Sequence, residues 1–141
     1  MNIPYWKNLQ PLRIPANWTI LQHKLMNIEP EKLNKNDDKW LTMFVEDILQ
    51  IERHLKRKIN KKVEQQKLII DLGWYPDSEP SGNFRLVAIL NNNWEFPLLQ
   101  FTSRSKKEIL ETLEYWLFEI FDDIYFIEDE NHFRKLYKHY Q

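Results

Sequence analysis

Between Glu108 and Glu130 the chain carries nine carboxylates and no lysine or arginine, a formal charge of −9. Carboxylates at that density repel one another unless something offsets them. The segment is therefore either a solvated face close to the chain's own basic residues or a landing site for a basic partner. In the second case complementary charge raises the association rate and sets specificity more than affinity. Tyr115 and Phe118 stand among these acids. An aromatic anchor inside a charged rim is the usual composition of a binding hot spot, and a surface kept only for solubility has no need of it. The opposing reading has the chain after Ile124 fold back over both rings. Trp74 to Glu79 places Tyr75, Asp77 and Glu79 together in the same way, either as a second contact or as the end of a core strand.

The opposite charge is concentrated in Arg53 to Lys67, with seven basic residues in fifteen against Glu64 alone. Such a run can neutralise phosphates. It holds no aromatic residue for base stacking, no recognised nucleic-acid module surrounds it, and the acidic segment repels a polyanion, which argues against nucleic acid as the partner. Catalysis has less support still. His132 and His139 are seven residues apart, the spacing of one helix face, but no third metal ligand is suggested. Asp71 is a mid-strand carboxylate on the face opposite Leu68, Ile70 and Leu72, either exposed or catalytic. There is no glycine-rich phosphate loop, no G-x-S-x-G and no H-E-x-x-H. We expect no enzyme, no catalytic residue, no metal and no cofactor.

These residues must be positioned by a small set of elements. Leu68 to Phe101 contains three apolar runs punctuated by both glycines and three of the seven prolines. Leu68, Ile70, Leu72 and Trp74 alternate with Ile69, Asp71, Gly73 and Tyr75, the period of two of a strand with one buried face. Pro76 to Asn83 and Asn91 to Asn93 supply turn residues between the runs, so the stretch reads as an antiparallel meander. Pro97 makes its third strand an edge or places a bulge there. Upstream, Asn17 to Met26 alternates roughly, with Thr19, Leu21, His23 and Leu25 on one side and Trp18 and Ile20 on the other, as a first strand. Residues 1–16, with Pro4, Pro11 and Pro15, read as an extended arm packed by Tyr5, Trp6, Leu12 and Ile14.

Apolar residues from Lys39 to about Lys58 recur at three and four, which predicts an amphipathic helix capped by Asp37 or Asp38 and ending in basic residues. Ser105 and Glu108 form a capping-box pattern ahead of a second helix, about Lys106 to Asp122. Its inner arc holds Ile109, Leu110, Leu113, Trp116, Leu117, Ile120 and Phe121. Its outer arc holds Glu108, Glu111, Glu119 and Asp122, with Tyr115 and Phe118 among them and Asp123 following. A short third helix capped by Glu130 or Asn131 is expected to reach His139, with Phe133, Leu136, Tyr137 and Tyr140 as its apolar stripe.

A length of 141 residues implies one domain that buries roughly two thirds of its unfolded surface. Zero cysteines exclude disulfides, thiolate chemistry and the usual structural zinc sites. No apolar run is long enough to span a bilayer, and the N-terminus lacks the pattern of a secretory signal; the cytoplasm is the default location. The net charge of −1 by itself points to no partner. The predicted fold is a single α+β domain, with an antiparallel sheet of about four strands and helices packed on it.

The layout is similar to that of the small α/β immunity proteins of bacterial toxin systems, including contact-dependent growth inhibition. The similarity rests on DLGWYPDSEPSGNFRL (Asp71 to Leu86), WEFPL (Trp94 to Leu98) and SRSKKEI (Ser103 to Ile109), about the central third of the chain. The resemblance implies a cytoplasmic protein that binds one cognate toxin domain, often a basic nuclease, and blocks its active site or substrate surface. The alternative is a nucleic-acid-binding regulator that uses residues 53–67.

Overall fold

A computed structural model describes residues 8–141. Five antiparallel strands follow one another in a single sheet, in the order β1-β2-β3-β4-β5. They are β1 (Thr19–His23), β2 (Leu49–Ile59), β3 (Lys62–Tyr75), β4 (Asn83–Leu90) and β5 (Leu99–Ser103). The helices are α1 (Lys39–Met43), α2 (Lys106–Tyr115), which runs into a π-helical turn over Trp116–Ile120, and α3 (Glu130–Leu136). The α+β class and the 68–101 meander are as the sequence predicts, with one strand more than expected. Of the expected N-terminal arm, Pro4, Tyr5 and Trp6 lie outside the described residues. Leu12 and Ile14 pack against the core.

The largest departure is β2. A helix from Lys39 to Lys58 does not form: α1 stops at Met43, Phe44 leaves helical geometry, and Leu49–Ile59 pairs residue for residue with Lys62–Leu72. In strand register Leu49, Ile51, Arg53 and Leu55 all point inward and are buried. An inward arginine hides that period of two, while Leu41, Phe44, Ile48 and Leu55 mimic a helical one. The hairpin closes at Asn60 and Lys61, both at positive φ (50° and 68°), as a two-residue turn requires. Asparagine accepts that region readily; lysine gives no hint of it.

Smaller corrections follow the same logic. β1 is shorter than Asn17 to Met26, and its register shifts between Ile20 and Gln22, so Leu21 breaks the alternation while Trp18 and Leu25 are both buried. Trp94 to Phe96 belong to the turn after β4, and the third strand of the meander begins only after Pro97; β5 is indeed an edge. The cap of α3 is Asp129, which accepts from the His132 amide at 3.0 Å, in place of Glu130 or Asn131. That helix ends at Leu136, so His139 lies beyond it, and Leu136 faces solvent at 60% exposure.

One core lies on the inner face of the sheet, where Leu68, Ile70, Leu72, Leu86 and Ala88 meet Ile109, Leu113, Trp116, Leu117 and Phe121 from the helical layer. At its other end Trp40, Phe44, Trp74 and Phe84 pack ring against ring, with centroids 4.6 to 5.9 Å apart. Gly73 permits this closure: the Glu46 carbonyl oxygen stands 2.1 Å from where a Cβ would be, so only glycine admits the preceding loop.

Candidate partner-binding surface

The start of α2 is fixed by its own sequence. Ser105 Oγ accepts from the Glu108 amide at 3.2 Å, and the Glu108 carboxylate accepts from Ser103 Oγ, which in turn accepts from the Ser105 amide. The capping box therefore closes through Ser103 instead of directly. Glu29 reaches across the molecule to accept from the amides of Lys106 and Lys107. A carboxylate on the first turn is also favoured by the helix dipole.

From there α2 and its π turn present Glu111, Glu114, Tyr115, Phe118 and Glu119 along a shallow groove of about 580 Å³, with Arg13 on its rim. Tyr115 is 45% exposed, and Phe118 is half-buried under the Arg13 guanidinium, 5.2 Å from its ring centre. Arg13 also pairs with Glu114 at 3.8 Å. Tyr140 returns from the C-terminus to pack its ring 6.3 Å from that of Tyr115, covering one edge and leaving the other to solvent. The C-terminal segment thus covers Tyr115 only in part.

The outer arc does not continue as a regular helix. The Phe121 amide donates to the Trp116 carbonyl, five residues back, so the π turn inserts one residue. Asp122 and Asp123 consequently fall past the helix end, beside a second groove of about 510 Å³ lined by Asp123, Tyr125, Ile127, Glu128, His132 and Leu136 among others. Tyr125 is 81% exposed, more than any other large apolar or aromatic side chain described. Sequence reasoning passed over it, because residues 122–129 form no regular element and no periodicity marks their outward side.

This irregular segment is held by residues of the basic run. Arg53, buried on the inner face, donates to the carbonyls of Phe121 at 2.6 Å and Ile124 at 2.8 Å. Burial lowers its pKa, and the nearby Asp122 charge opposes that shift. Gln66, also buried, holds Ile127 by both backbone groups, donating to its carbonyl at 2.7 Å and accepting from its amide at 2.9 Å. Arg57 lies 4.0 Å over the Phe126 ring and bridges Glu64 and Glu128. Lys56, Lys58, Lys61 and Lys62 stay exposed on the projecting β2–β3 hairpin.

The −9 segment is thereby divided. Glu108 accepts from Ser103 and Asp129 caps α3, while Glu114, Glu128 and Glu130 have arginine partners. Glu111, Glu119, Asp122 and Asp123 are exposed and have no ion-pair partner among the described residues.

Tyr75, Asp77 and Glu79 are not brought to this surface. Tyr75 lies on the outer face of the sheet, where burial and the charges of Asp71 and Glu46 push its pKa up. The Asp77 carboxylate accepts from the Glu46 amide and Ser78 Oγ, and the Glu79 carbonyl accepts from the buried Trp74 indole at 2.7 Å. That loop closes the aromatic end of the core. Among the described residues no three histidines or carboxylates are placed to hold a metal, and no helix is long and apolar enough to cross a membrane.

No protein-family model matches the chain, and no curated protein or solved structure is significantly similar to it.

Proposed function

We propose that the chain is a non-enzymatic immunity protein, which neutralises a cognate basic toxin domain in the cytoplasm by covering its active site or substrate surface. The observation that carries this reading is the set of exposed acids left over once internal partners are assigned: Glu111 and Glu119 beside Tyr115 and Phe118, and Asp122 and Asp123 just past the helix end. Holding charged groups on one side without internal compensation costs stability, and a basic partner supplies the compensation. A nuclease is the target class that fits, because its substrate surface must be positive to bind a polyanion. Tyr115 and Phe118 act as anchors, and the acids steer and pair.

The test is co-expression with the polypeptide encoded beside this chain, followed by co-purification and by growth of cells producing that polypeptide alone. A stable complex that restores growth supports the reading. Loss of toxicity without any complex, or a complex indifferent to Glu111→Lys with Asp122→Lys, overturns it.

One observation keeps a second reading in view, since the β2–β3 hairpin projects with four exposed lysines. Steeply salt-dependent binding of generic RNA or DNA that is lost in Lys61→Glu with Lys62→Glu would favour a nucleic-acid regulator.

A further inference from the structure

Among the described residues, no helix contributes to the apolar cluster on the outer face of the sheet, which consists of Ile69, Val87 and Ile89. The strand register sorts the charges around it into rows. Asp71 lies opposite Gln50 and Val87; one row along, Ile69 lies opposite Glu52 and Ile89; one row further, Lys67 lies opposite His54. Beyond Lys67 the same face continues to Lys56 and Lys58 on β2. Beyond Asp71 it meets Asp47 and Glu46 from the loop before β2.

The face therefore carries acids at one end, with Arg85 among them, is apolar in the middle and is basic at the other end. Asp71 is half-buried and has no hydrogen-bond or ion-pair partner among the described residues, although Arg85 is close enough for its charge to be felt. A partly buried carboxylate without a partner is a cost the fold does not recover internally.

We propose that this face is the interface of a two-fold homodimer, in which Asp71 of each copy meets Lys67 of the other. The geometry follows from the register. Asp71 and Lys67 are each two residues from Ile69, about 7 Å along the strand in opposite directions. A two-fold axis running across the strands at the level of Ile69 and Ile89 superposes the acidic end of one copy on the basic end of the next. Two sheets packed face to face stand about 10 Å apart, a gap that a lysine and an aspartate close together. Such an interface is isologous and closes as a dimer, so every contact occurs twice.

Glu52, 3.3 Å from His54, falls on the axis row and so faces its own copy, a like-charge contact that the two Asp71–Lys67 pairs must outweigh. The strands from β2 to β5 offer a face of roughly 450 Å² per copy, at the low end for a specific interface. Ile69, Val87 and Ile89 are already buried within the single chain, so the dimer depends on charge and is weak. The acidic surface on α2 lies on the other side of the sheet and stays available to a partner.

Sedimentation equilibrium of the full chain at neutral pH tests this. A reversible dimer at low ionic strength that dissociates in half-molar salt is expected, because exposed charge pairs are screened. Lys67→Glu creates two like-charge contacts per dimer and raises the dissociation constant at least about tenfold. Combining it with Asp71→Lys swaps both charges and restores dimerisation to within about threefold of the wild type. Should Asp71→Lys fail to fold, Lys56→Glu with Lys58→Glu, on exposed residues, also weakens the dimer. A monomer at every concentration, a dimer insensitive to Lys67→Glu, or a dimer lost with Glu111→Lys instead would overturn the proposal.

Discussion

The basic stretch from Arg53 to Lys67 and the acidic stretch from Glu108 to Glu130 are similar in charge density, yet the fold uses them differently. In the basic stretch the arginines turn inward or sideways: Arg53 is buried on two backbone carbonyls and Arg57 is enclosed by Phe126, Glu64 and Glu128. The lysines remain outside. This division suits the two side chains, since a planar guanidinium satisfies several acceptors in place while an ammonium keeps its hydration. In the acidic stretch five carboxylates accept a side-chain or cap hydrogen bond or pair with an arginine, and four do not. A count of charges in sequence thus overstates what either stretch offers to a partner. The structure reduces the basic run to a lysine-bearing hairpin and the acidic run to Glu111 and Glu119 beside an aromatic groove, with Asp122 and Asp123 past the helix end.

The contrast can be broken most strongly at Arg53. Arg53→Met keeps the stem volume and strands the carbonyls of Phe121 and Ile124, so we expect a loss of about 3 kcal/mol in urea unfolding. Its effect should exceed that of Lys58→Met by several-fold, and equal effects would refute the division of the basic run. Gln66→Leu removes both bonds to Ile127 at nearly constant volume and should cost about 2 kcal/mol. It should also increase hydrogen exchange at Ile127 ahead of the sheet amides.

Asp71 gives a smaller effect with a defined pH dependence. Burial, reinforced by Asp47 and opposed by Arg85, pushes its carboxyl up to about 6. In the unfolded chain an aspartate titrates near 4. Its contribution to stability is therefore full below pH 4 and is lost as pH rises through about 6. Asp71→Asn, measured on the monomer in high salt, should be more stable than the wild type at pH 7.5 by about 1 kcal/mol, after allowance for solvent screening. The difference should vanish near pH 4; a gap that persists there would assign it to another cause. The smallest expected change is in Glu111→Lys with Asp122→Lys, which should leave stability within about 0.5 kcal/mol of the wild type.

Much of the architecture was legible where local signals agreed. The alternation of Leu68 to Trp74, the turn residues of Pro76 to Asn83 and the Ser105–Glu108 cap all point to the elements that form. β2 was not legible, because Arg53 occupies a core position and its partners, the carbonyls of Phe121 and Ile124, are about 70 residues away. The π turn at Trp116–Ile120 has no sequence marker either, and it carries Asp122 and Asp123 away from the face on which a regular helix would have placed them. Of the surface itself, Glu111, Tyr115, Phe118 and Glu119 could be grouped by helical spacing alone. Tyr125 could not, since it belongs to a segment shaped by Arg53 and Gln66 and not by its own periodicity.

The central claim is that the unpaired acids of α2, its π turn and the residues just after it, and not the lysine hairpin, receive the partner. The most direct measurement is a calorimetric titration of the neighbouring-gene polypeptide into the wild type, into Glu111→Lys with Asp122→Lys, and into Lys61→Glu with Lys62→Glu. The account predicts a loss of at least about tenfold in affinity for the first variant and a change within about threefold for the second. The reverse order, with the lysine variant losing affinity and the acidic one unchanged, would contradict it.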